Sequence, residues 1–439
     1  MLSWMPHPAF PWQELDGLQA VFSVTLFTIL FLELGYLAFA SFGVFRFWLR
    51  HQASECDGEK ESLRVSCVIT CYSEGRDVQR TILSLLEQSY SGFIEILAVV
   101  DGAQQNGETL GAAVAMQGQA AKYPKRSLRV LPKWLRGGRA SSLNAGLSFA
   151  GGEVIMALDG DTSFDHDMVQ RAVGRLQEPG VVALAGTLRV RNAKANLLTR
   201  LQALDYLLFR QYVRTGLGEF NVINNIPGAH GVFRIGFLRT VGGWDTGSAE
   251  DVDLALRIKK YFRQYPGLRV AADPHVISHT DVPDRWHDFF RQRLRWEGDP
   301  VYLHLRKHGP SLRPSIIGWK NFWFTLWYGV TFQILIPPAW LVSLLGILAL
   351  SEVGTAVAIF LQIYFLYLCA ALYAFTLDIL LLSERPRSDS GLFPLLPLYP
   401  LFVVLVRLWS AFAVFHSLLL RSHLDTSMAP WWVLRKGKF

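Results

Sequence analysis

Three groups of charged or polar residues, far apart in the chain, have types and spacings suited to chemistry. Asp159-Gly160-Asp161 places two carboxylates one residue apart, which suits a divalent cation held against a diphosphate. Glu250-Asp251 is a second acidic pair, and one of its carboxylates can take a proton from a sugar hydroxyl. Residues 292–296 (QRLRW) add arginines for phosphate and a flat ring for a sugar. Together these groups supply what transfer of a sugar from a nucleotide needs.

The two acidic groups also have a purely structural interpretation. Asp159-Gly160-Asp161 resembles the acidic pairs of ordinary turns, but it directly follows the apolar run VIMAL, and its glycine allows close backbone approach. Glu250-Asp251 opens the helical run Val252–Lys260, where acidic residues favour a helix N-terminus. That role does not prevent Asp251 from also acting as a base. We expect Asp253, on the same helix, to be solvated.

Two further patterns leave alternatives open. Arg136-Gly137-Gly138-Arg139 precedes a predicted helix, where backbone N–H groups and positive charge suit an anion, although a plain turn fits equally well. The Lys-Ser/Thr pair of a Walker phosphate loop is missing. His275 and His279 have a spacing that zinc ligands use, but no third ligand is in view and we do not expect a metal there.

The composition is too apolar for an ordinary soluble enzyme. Of 439 residues, 51% are hydrophobic and 14 are Trp, and the mean hydropathy is +0.23. Much of the net charge of +7 lies at the edges of apolar runs, where it marks the cytoplasmic side of a membrane. No basic tract with interleaved aromatics is present, so we expect no nucleic-acid partner. The four cysteines lack metal-ligand spacing and indicate a reducing cytoplasm.

The N-terminal segment, residues 1–50, is predicted to cross the membrane once. Residues 21–45 carry one charge, Glu33, and are long enough to span about 30 Å of hydrocarbon. Arg46 and Arg50 follow at once, which places the N-terminus outside and the following residues in the cytoplasm. A cleaved signal peptide is the alternative, but its positive charge would come first. Residues 51–63 are predicted to be a polar linker.

Residues 64–283 show strands alternating with helices. The predicted strands are Val65–Thr70, Ile94–Val100, Leu128–Leu131, Val154–Leu158 and Val181–Leu184, and the helices Asp77–Gln88 and Ala140–Phe149 lie between them. This order predicts an α/β domain with a mostly parallel sheet and helices on both faces. Ligands bind at the carboxyl ends of such strands, where Asp101 and the Asp159/Asp161 pair fall.

The C-terminal part is predicted to lie in and across the membrane. Residues 284–328 resemble interfacial helices, because aromatic residues of 286–296 form one apolar stripe with arginines between them. Residues 329–420 supply about three transmembrane helices, the first split by Pro337-Pro338. Arg407 in the last helix is expected to face a glycan channel. Residues 421–439 form a basic tail, and the sequence leaves open on which side of the membrane it lies.

Several motifs in fixed order carry a resemblance to a known family. They are residues 69–74 (ITCYSE), 100–102 (VDG), 138–144 (GRASSLN), 159–161 (DGD), 226–234 (IPGAHGVFR), 242–245 (GGWD), 250–251 (ED) and 292–296 (QRLRW). With these motifs the chain resembles the family-2 processive glycosyltransferases of membranes, which include bacterial poly-N-acetylglucosamine, cellulose, chitin-oligosaccharide and hyaluronan synthases. The resemblance covers about residues 64–300 and implies the nucleotide-sugar-binding fold termed GT-A.

The resemblance implies roles for matching residues. For the nucleotide-sugar, these are Thr70, Tyr72, Glu74, Asp101, Arg139 and Asp159. Asp161 would bind Mg²⁺ or Mn²⁺, and Asp251 would be the general base beside Glu250. Gln292 and Arg295 would hold diphosphate or acceptor, and Trp296 would stack on the terminal sugar of the acceptor.

The chain departs from the family pattern at three places. Arg139 stands where many relatives have Lys, and the two side chains bind phosphate differently. Ala249 replaces the usual Thr before Glu-Asp, which removes a hydroxyl. Ile226-Pro227-Gly228 replaces a Cys-Gly or Ser-Gly pattern in the acceptor loop, so the acceptor contacts differ.

The implied function is polymerisation of a β-linked exopolysaccharide from UDP-N-acetylglucosamine or UDP-glucose by an inverting, metal-dependent enzyme. Its partners would be the UDP-sugar donor, the growing polysaccharide and the lipid bilayer, and the need for an accessory subunit is left open. The expected location is the bacterial inner membrane, with several membrane passes and a cytoplasmic catalytic domain. The alternative is a single transfer to a membrane lipid, as by ceramide glucosyltransferase-like enzymes. A transporter or scaffold is the third hypothesis, but it gives no reason for carboxylates at strand ends.

Overall fold

The computed structural model describes residues 17–53, 62–245 and 249–420. The predicted basic tail, 421–439, and most of the predicted linker, 54–61, lie outside these described residues. Four helical segments within the described part are long and apolar enough to cross a membrane: Gln19–Gln52, Trp319–Leu350, Val353–Leu381 and Pro386–Leu420.

Eight strands form one sheet between the first and second of these segments. They are β1 Val65–Cys71, β2 Ile94–Asp101, β3 Arg126–Lys133, β4 Val154–Asp159, β5 Ser163–Phe164, β6 Val181–Val190, β7 His230–Arg234 and β8 Arg269–Thr280. The strand order is β3-β2-β1-β4-β7-β6-β8-β5. Pairing is parallel except that β7 is antiparallel to β4 and β6, and β5 to β8. The sheet is therefore mixed. Strand β7, five residues that include a glycine, is not among the predicted strands.

The helices follow in chain order, with π- or 3₁₀-helical stretches between some of them. The N-terminal segment is α1 Gly17–Phe27, a π-helical stretch Thr28–Glu33 and α2 Leu34–Ala53. The α/β domain has α3 Asp77–Leu86, α4 Gly107–Ala115, α5 Gln117–Ala120, α6 Arg139–Phe149, α7 Met168–Leu176, α8 Leu197–Asp205, π-helical Tyr206–Val213, α9 Arg214–Glu219, α10 Ile235–Val241 and α11 Glu250–Phe262. After β8 come α12 Trp286–Tyr302, π-helical Leu303–Lys307, 3₁₀-helical Gly309–Ser311, α13 Pro314–Ile317, α14 Trp319–Phe324, π-helical Thr325–Leu335, α15 Ile336–Leu350, α16 Val353–Leu381, α17 Pro386–Asp389, 3₁₀-helical Ser390–Leu398 and α18 Tyr399–Leu420.

Apolar layers cover both faces of the sheet. Strands β1 and β2 are buried along their whole length, as expected for strands covered on both sides. One layer includes Ile82 and Val169, and the other includes Leu143 and Leu254. The second layer is continuous with Phe375 of α16 and with residues of α2. The α/β domain and the membrane helices therefore share one hydrophobic core.

The N-terminal helix is longer than predicted and packs closely against the α/β domain. It continues to Ala53, so residues 51–53 of the predicted linker are helical. A Cβ on Gly43 would lie 2.1 Å from the carbonyl oxygen of Gly216 in α9. Only a residue without a side chain fits at this crossing. Past the crossing, Arg50 Nη2 lies 2.6 Å from Glu219 Oε1.

The two prolines at 337–338 do not split the second membrane segment. A π-helical stretch ends at Leu335, and Pro337 lies in the first turn of α15, where a missing backbone N–H is tolerated. The helical segment starts at Trp319 instead of near Gly329.

Candidate active site

Arg139, the first residue of α6, connects the ends of several elements. Its guanidinium forms ion pairs with Asp159 at the end of β4 and with Glu250, 2.6 Å away, at the start of α11. It also donates to Thr70 Oγ1 at 2.9 Å and to the carbonyl oxygen of Gly228. The side chain is 14% exposed. Arg139 therefore contacts residues of four separate segments: the first strand, the DGD motif, the acceptor loop and the acidic pair.

The DGD motif lies in an environment that disfavours its own negative charge. Burial first, and then the charge of Asp159, raise the pKa of Asp161 to about 6. Burial likewise raises the pKa of Glu74 to about 7, and the charges of Asp161 and Asp159 add to the shift. A Cβ on Gly160 would lie 2.9 Å from Glu74 Cδ, so the glycine allows this close approach.

These carboxylates fit a divalent cation. Glu74 Oε2 is buried without a hydrogen-bond partner among the described residues, and a cation would offset the crowded charge. No group of three or more His, Cys, Asp or Glu side chains in the described part of the chain is arranged to hold a metal by itself. A cation at Asp161 would need further oxygens from a substrate, as Mg²⁺ has when it bridges carboxylates and phosphates.

Asp251 is held by hydrogen bonds at both carboxylate oxygens. The side-chain amide of Asn225 donates to Oδ2 at 2.7 Å, and the backbone N–H of Val252 donates to Oδ1 at 2.8 Å. Burial, followed by the charge of Glu250, raises the pKa of Asp251 to about 6. Ala249, which precedes the pair, has a left-handed backbone with φ of 52°. The pair thus opens α11. This position fits both hypotheses for Asp251, a residue that favours the helix N-terminus and a general base.

Gln292, Arg295 and Trp296 lie on one face of α12 and line the same cavity as the carboxylates. Gln292 Oε1 is buried without a hydrogen-bond partner among the described residues. The guanidinium of Arg210 lies 4.6 Å from the centroid of the Trp296 ring, and that of Arg293 lies 5.5 Å from it. Cations therefore already interact with the π-surface on which a sugar would stack.

One cavity of about 530 Å³ joins these residues to the membrane helices. Its lining includes the predicted site residues Arg139, Asp159, Asp161, Glu250, Asp251, Gln292, Arg295 and Trp296. Its lining from the membrane helices includes Tyr36, Tyr328, Phe332, Phe402 and Arg407. The volume is in the range of small-molecule sites. A ligand in this cavity could contact both the acidic motifs and the long apolar helices.

The predicted uridine residues lie beside the cavity and not in its lining. Thr70 pairs in register with Asp159, so both are at the carboxyl edge of the sheet. Asp101 is buried and accepts hydrogen bonds from the backbone N–H groups of Gly137 and Gly138 at 2.8 and 2.7 Å. In the turn before α6, these two backbone amides therefore bind the Asp101 carboxylate. Tyr72 is exposed and stacks with the guanidinium of Arg136.

Asp253 is not solvated, contrary to expectation. It is 2% exposed and lies 2.7 Å from Lys307 Nζ, His308 Nε2 and Arg257 Nε. Burial opposes its ionisation, but the hydrogen bond from His308 and the charges of Arg257 and Lys307 hold the pKa of Asp253 well below its usual range. The residue therefore ties α11 to the segment after α12.

Three other sequence features are accounted for by contacts. His275 Nδ1 lies 3.5 Å from Asp273, and His279 Nε2 lies 2.9 Å from Asp165, so the two histidines face different carboxylates. Arg407, for which a glycan channel was predicted, lines the cavity and also pairs with Glu33 at 2.8 Å. Sequence reasoning missed Asn225, although it directly precedes the IPGAHGVFR motif.

Comparison with known protein families gives two matches. Residues 154–380, more than half of the chain, match the model described as "Glycosyl transferase family group 2". Residues 66–241 match the model described as "Glycosyl transferase family 2". The two matches together contain the DGD motif and the strands that end at the site.

Two curated relatives are similar in sequence. A "Probable glycosyltransferase YdaM" of Bacillus subtilis is 25% identical over 361 residues, which cover 80% of this chain and 84% of the relative. A "Poly-beta-1,6-N-acetyl-D-glucosamine synthase" of Staphylococcus epidermidis is 26% identical over 251 residues. That match covers 57% of this chain and 57% of the synthase.

Among solved structures, the "Mannosyltransferase PcManGT from Pyrobaculum calidifontis in complex with GDP-Man and Mn2+" superposes with a TM-score of 0.53 at 18% identity. The superposition covers 92% of this chain and 99% of that chain, and at this identity it shows the fold alone. The fold is the GT-A glycosyltransferase fold that the motifs implied. On the strength of the family matches, the chain belongs to the family-2 glycosyltransferases.

Proposed function

We propose that the protein is an inverting, metal-dependent enzyme that builds a β-linked polysaccharide from a UDP-sugar. The donor would be UDP-N-acetylglucosamine or UDP-glucose. The reaction would take place on the cytoplasmic side of a bacterial inner membrane, and the product would cross that membrane through the same protein. Similarity to a curated poly-β-1,6-N-acetyl-D-glucosamine synthase supports the polymer. The Arg46 and Arg50 side chains at the end of the first membrane segment support the orientation.

The donor would lie along the carboxyl edge of the sheet. Thr70, Glu74 and Asp101 would surround the uridine, and Asp161 would hold Mg²⁺ or Mn²⁺. The metal would supply Lewis acidity that stabilises negative charge on the departing diphosphate. Arg295 would add a fixed positive charge at the same diphosphate. Arg139 would exchange its contacts with Asp159 and Glu250 for the donor.

Asp251 would remove the proton from the acceptor hydroxyl. Its pKa of about 6 leaves it mostly ionised at neutral pH while keeping it a stronger base than an exposed aspartate. The deprotonated oxygen would attack the anomeric carbon on the face opposite the diphosphate, the carbon–oxygen bond to the diphosphate would break, and UDP would leave. One such displacement converts an α-linked donor into a β-linkage. Asn225 would orient the carboxylate.

The observation that carries the proposal is the continuity of the cavity. Asp251, Trp296 and the membrane residues Phe402 and Arg407 line one space, so an acceptor bound at the acidic pair can extend among the membrane helices. A growing chain needs such a path if it is to remain bound between additions.

The test is the size of the product. Purified full-length protein incubated with radiolabelled UDP-N-acetylglucosamine or UDP-glucose should yield a polymer ladder, and Trp296→Ala should shorten the ladder while nearly preserving UDP affinity. Trp296→Phe should retain part of the polymer length because it keeps a ring. Full-length product from Trp296→Ala would exclude the acceptor-platform role.

A single transfer to a membrane lipid is the second candidate. The same continuity favours it, because a lipid could enter the cavity from between the membrane helices. A radiolabelled product of one added sugar that partitions into organic solvent, without any longer species, would select this candidate over the polymer.

A further inference from the structure

Arg210 and Arg214 line the cavity from one helical segment, residues 206–219, and neither forms an ion pair with any described residue. The guanidinium of Arg210 stacks over the rings of Tyr206 and Trp296, 4.6 Å from each centroid. Arg214 Nη2 donates to Asn225 Oδ1 at 3.3 Å. Arg214 Nη1 is buried and has no hydrogen-bond partner in the described part of the chain. The segment thus presents two adjacent cations to the cavity.

The carboxylates of this region already have partners. Asp205 accepts from Arg293 at 2.9 Å and from Tyr399 at 3.2 Å, and Glu297 lies 3.5 Å from Arg293. Asp251 is held by Asn225 and by a backbone N–H. Two like charges one helical turn apart repel each other, and removing them from water without a counterion is costly. Burial first, and then the charge of Arg210, lower the pKa of Arg214 to about 10, although the nearby charge of Asp251 acts in the opposite direction.

The surroundings indicate what kind of anion fits. The cavity that these arginines line is also lined by Tyr36 of α2 and by Phe332 and Pro337 of the second membrane segment. These side chains belong to helices that are long and apolar enough to span a bilayer. A ligand that pairs with the cations and packs against these side chains has an anionic head and an apolar chain. Arginines bind phosphate oxygens through paired N–H groups, which favours a phosphate as the head.

We propose that Arg210 and Arg214 bind the phosphate head group of a membrane-soluble acceptor whose lipid chain lies along Tyr36, Phe332 and Pro337. The assignment to the acceptor rests on the proposed function, because Asp251 marks the acceptor side only if it is the base. Arg214 reaches Asp251 through Asn225, so the head group lies next to the reacting groups. The sugar chain would then start on, or be transferred to, a phosphate-bearing lipid.

The experiment measures equilibrium binding of radiolabelled hexadecyl phosphate to the immobilised full-length protein in uncharged detergent. Unlabelled hexadecanol and inorganic phosphate are the competitors, because each has one half of the ligand's chemistry. We expect hexadecyl phosphate to compete at least about tenfold more strongly than either compound. Hexadecanol cannot form the charge-assisted hydrogen bonds of the head group, and inorganic phosphate has no apolar chain. UDP affinity is measured in the same preparation.

Arg210→Gln is the decisive variant, because Arg210 is only partly buried and its loss leaves the core intact. Arg210→Gln and Arg214→Gln should each weaken hexadecyl phosphate binding about tenfold or more, with UDP affinity preserved. Arg200→Gln is the matched control: Arg200 is in α8, the helix directly before this segment, and does not line the cavity.

Three results would overturn the proposal. If hexadecanol competes as well as hexadecyl phosphate, the arginines do not recognise a phosphate head group. If inorganic phosphate competes equally well, the site does not recognise a lipid chain. A parallel loss of UDP affinity in Arg210→Gln would assign the arginines to the donor. The binding assay needs no turnover, so failure of the proposed sugar transfer would be seen separately, as a wild-type protein that binds hexadecyl phosphate but makes no product.

Discussion

The two hydrogen bonds to Asp251 fix the direction in which its carboxylate can accept a proton. Asn225 and the N–H of Val252 each bind one oxygen, and each oxygen keeps a further lone pair. Both bonds favour the ionised form, whereas burial and Glu250 disfavour it. The balance leaves a carboxylate with a pKa of about 6, so its protonation changes slightly below neutral pH.

Asp251→Asn should reduce turnover by about 100-fold to 10,000-fold and leave UDP affinity nearly unchanged, because it removes a base and not a donor ligand. In the wild type, turnover should fall about tenfold per pH unit below pH 6, since protonated Asp251 cannot accept a proton. Single-turnover rates between pH 5 and 8 provide the measurement (a range of about three units around the pKa). A variant rate within tenfold of wild type would reject Asp251 as the base.

Asn225→Ala should lower turnover about tenfold to 100-fold, because a hydrogen bond to a charged group is lost. The lost donor also raises the pKa of Asp251, so the acidic limb of the pH profile should move to higher pH. A merely structural role for Asn225 would lower the rate without moving that limb. Asn225→Asp adds a like charge and should move the limb further in the same direction.

Asp161→Ala should weaken UDP binding in the presence of Mg²⁺ or Mn²⁺ and abolish the dependence of activity on the metal. The reason is that Asp161 is the carboxylate of the DGD motif without an ion pair among the described residues, whereas Asp159 binds Arg139. Isothermal titration with UDP, with and without metal, tests this. Full wild-type activity in EDTA would mean that the motif does not act through a cation.

At the scale of elements, the sequence predicted the carboxyl edge of the sheet well. The strand that ends at Asp159 and the helix that starts at Arg139 follow from local apolar runs and a Gly-Gly turn, so short-range patterns were enough. Strand β7 and the pairing of Asp101 with a turn depend on contacts between distant segments, which no local pattern encodes. The same holds for the burial of Asp253, because two of its partners, Lys307 and His308, belong to a segment far along the chain.

The crossing of α2 and α9 is a tertiary contact that depends on missing side chains. Gly43→Ala would put a Cβ 2.1 Å from a backbone oxygen, so the helices must separate, at a cost of about 1–3 kcal/mol. Melting temperature in detergent should fall. Gly354→Ala is the control, because a Cβ there meets nothing within 4 Å. Equal melting temperatures for the two variants would show that α2 and α9 can separate at this crossing without loss of stability.

At the scale of the whole molecule, one carboxylate joins the first membrane segment to the other three. Glu33 accepts hydrogen bonds from Trp340 at 3.3 Å, Tyr367 at 2.6 Å and Arg407 at 2.8 Å. Each donor comes from a different C-terminal helix. Because Arg407 also lines the cavity, this contact fixes the shape of the path that an acceptor would follow.

Removing one partner of the Glu33–Arg407 ion pair should destabilise the protein more than removing both. Glu33→Gln leaves the Arg407 charge without its counterion, which costs about 3–5 kcal/mol for a buried pair. The double variant Glu33→Gln/Arg407→Gln should recover part of the lost melting temperature, since no uncompensated charge remains. Additive losses in the double variant would show that the two side chains act independently.

The Glu33–Arg407 pair also has a consequence for the order in which the protein is made. The two residues are 374 positions apart, so at ordinary rates of synthesis Glu33 waits on the order of 20 to 75 seconds for its partner. During that interval the carboxylate of Glu33 lacks the counterion that it has in the finished chain. Ribosomes that stop before codon 407 therefore release chains whose first helix lacks its ion-pair partner.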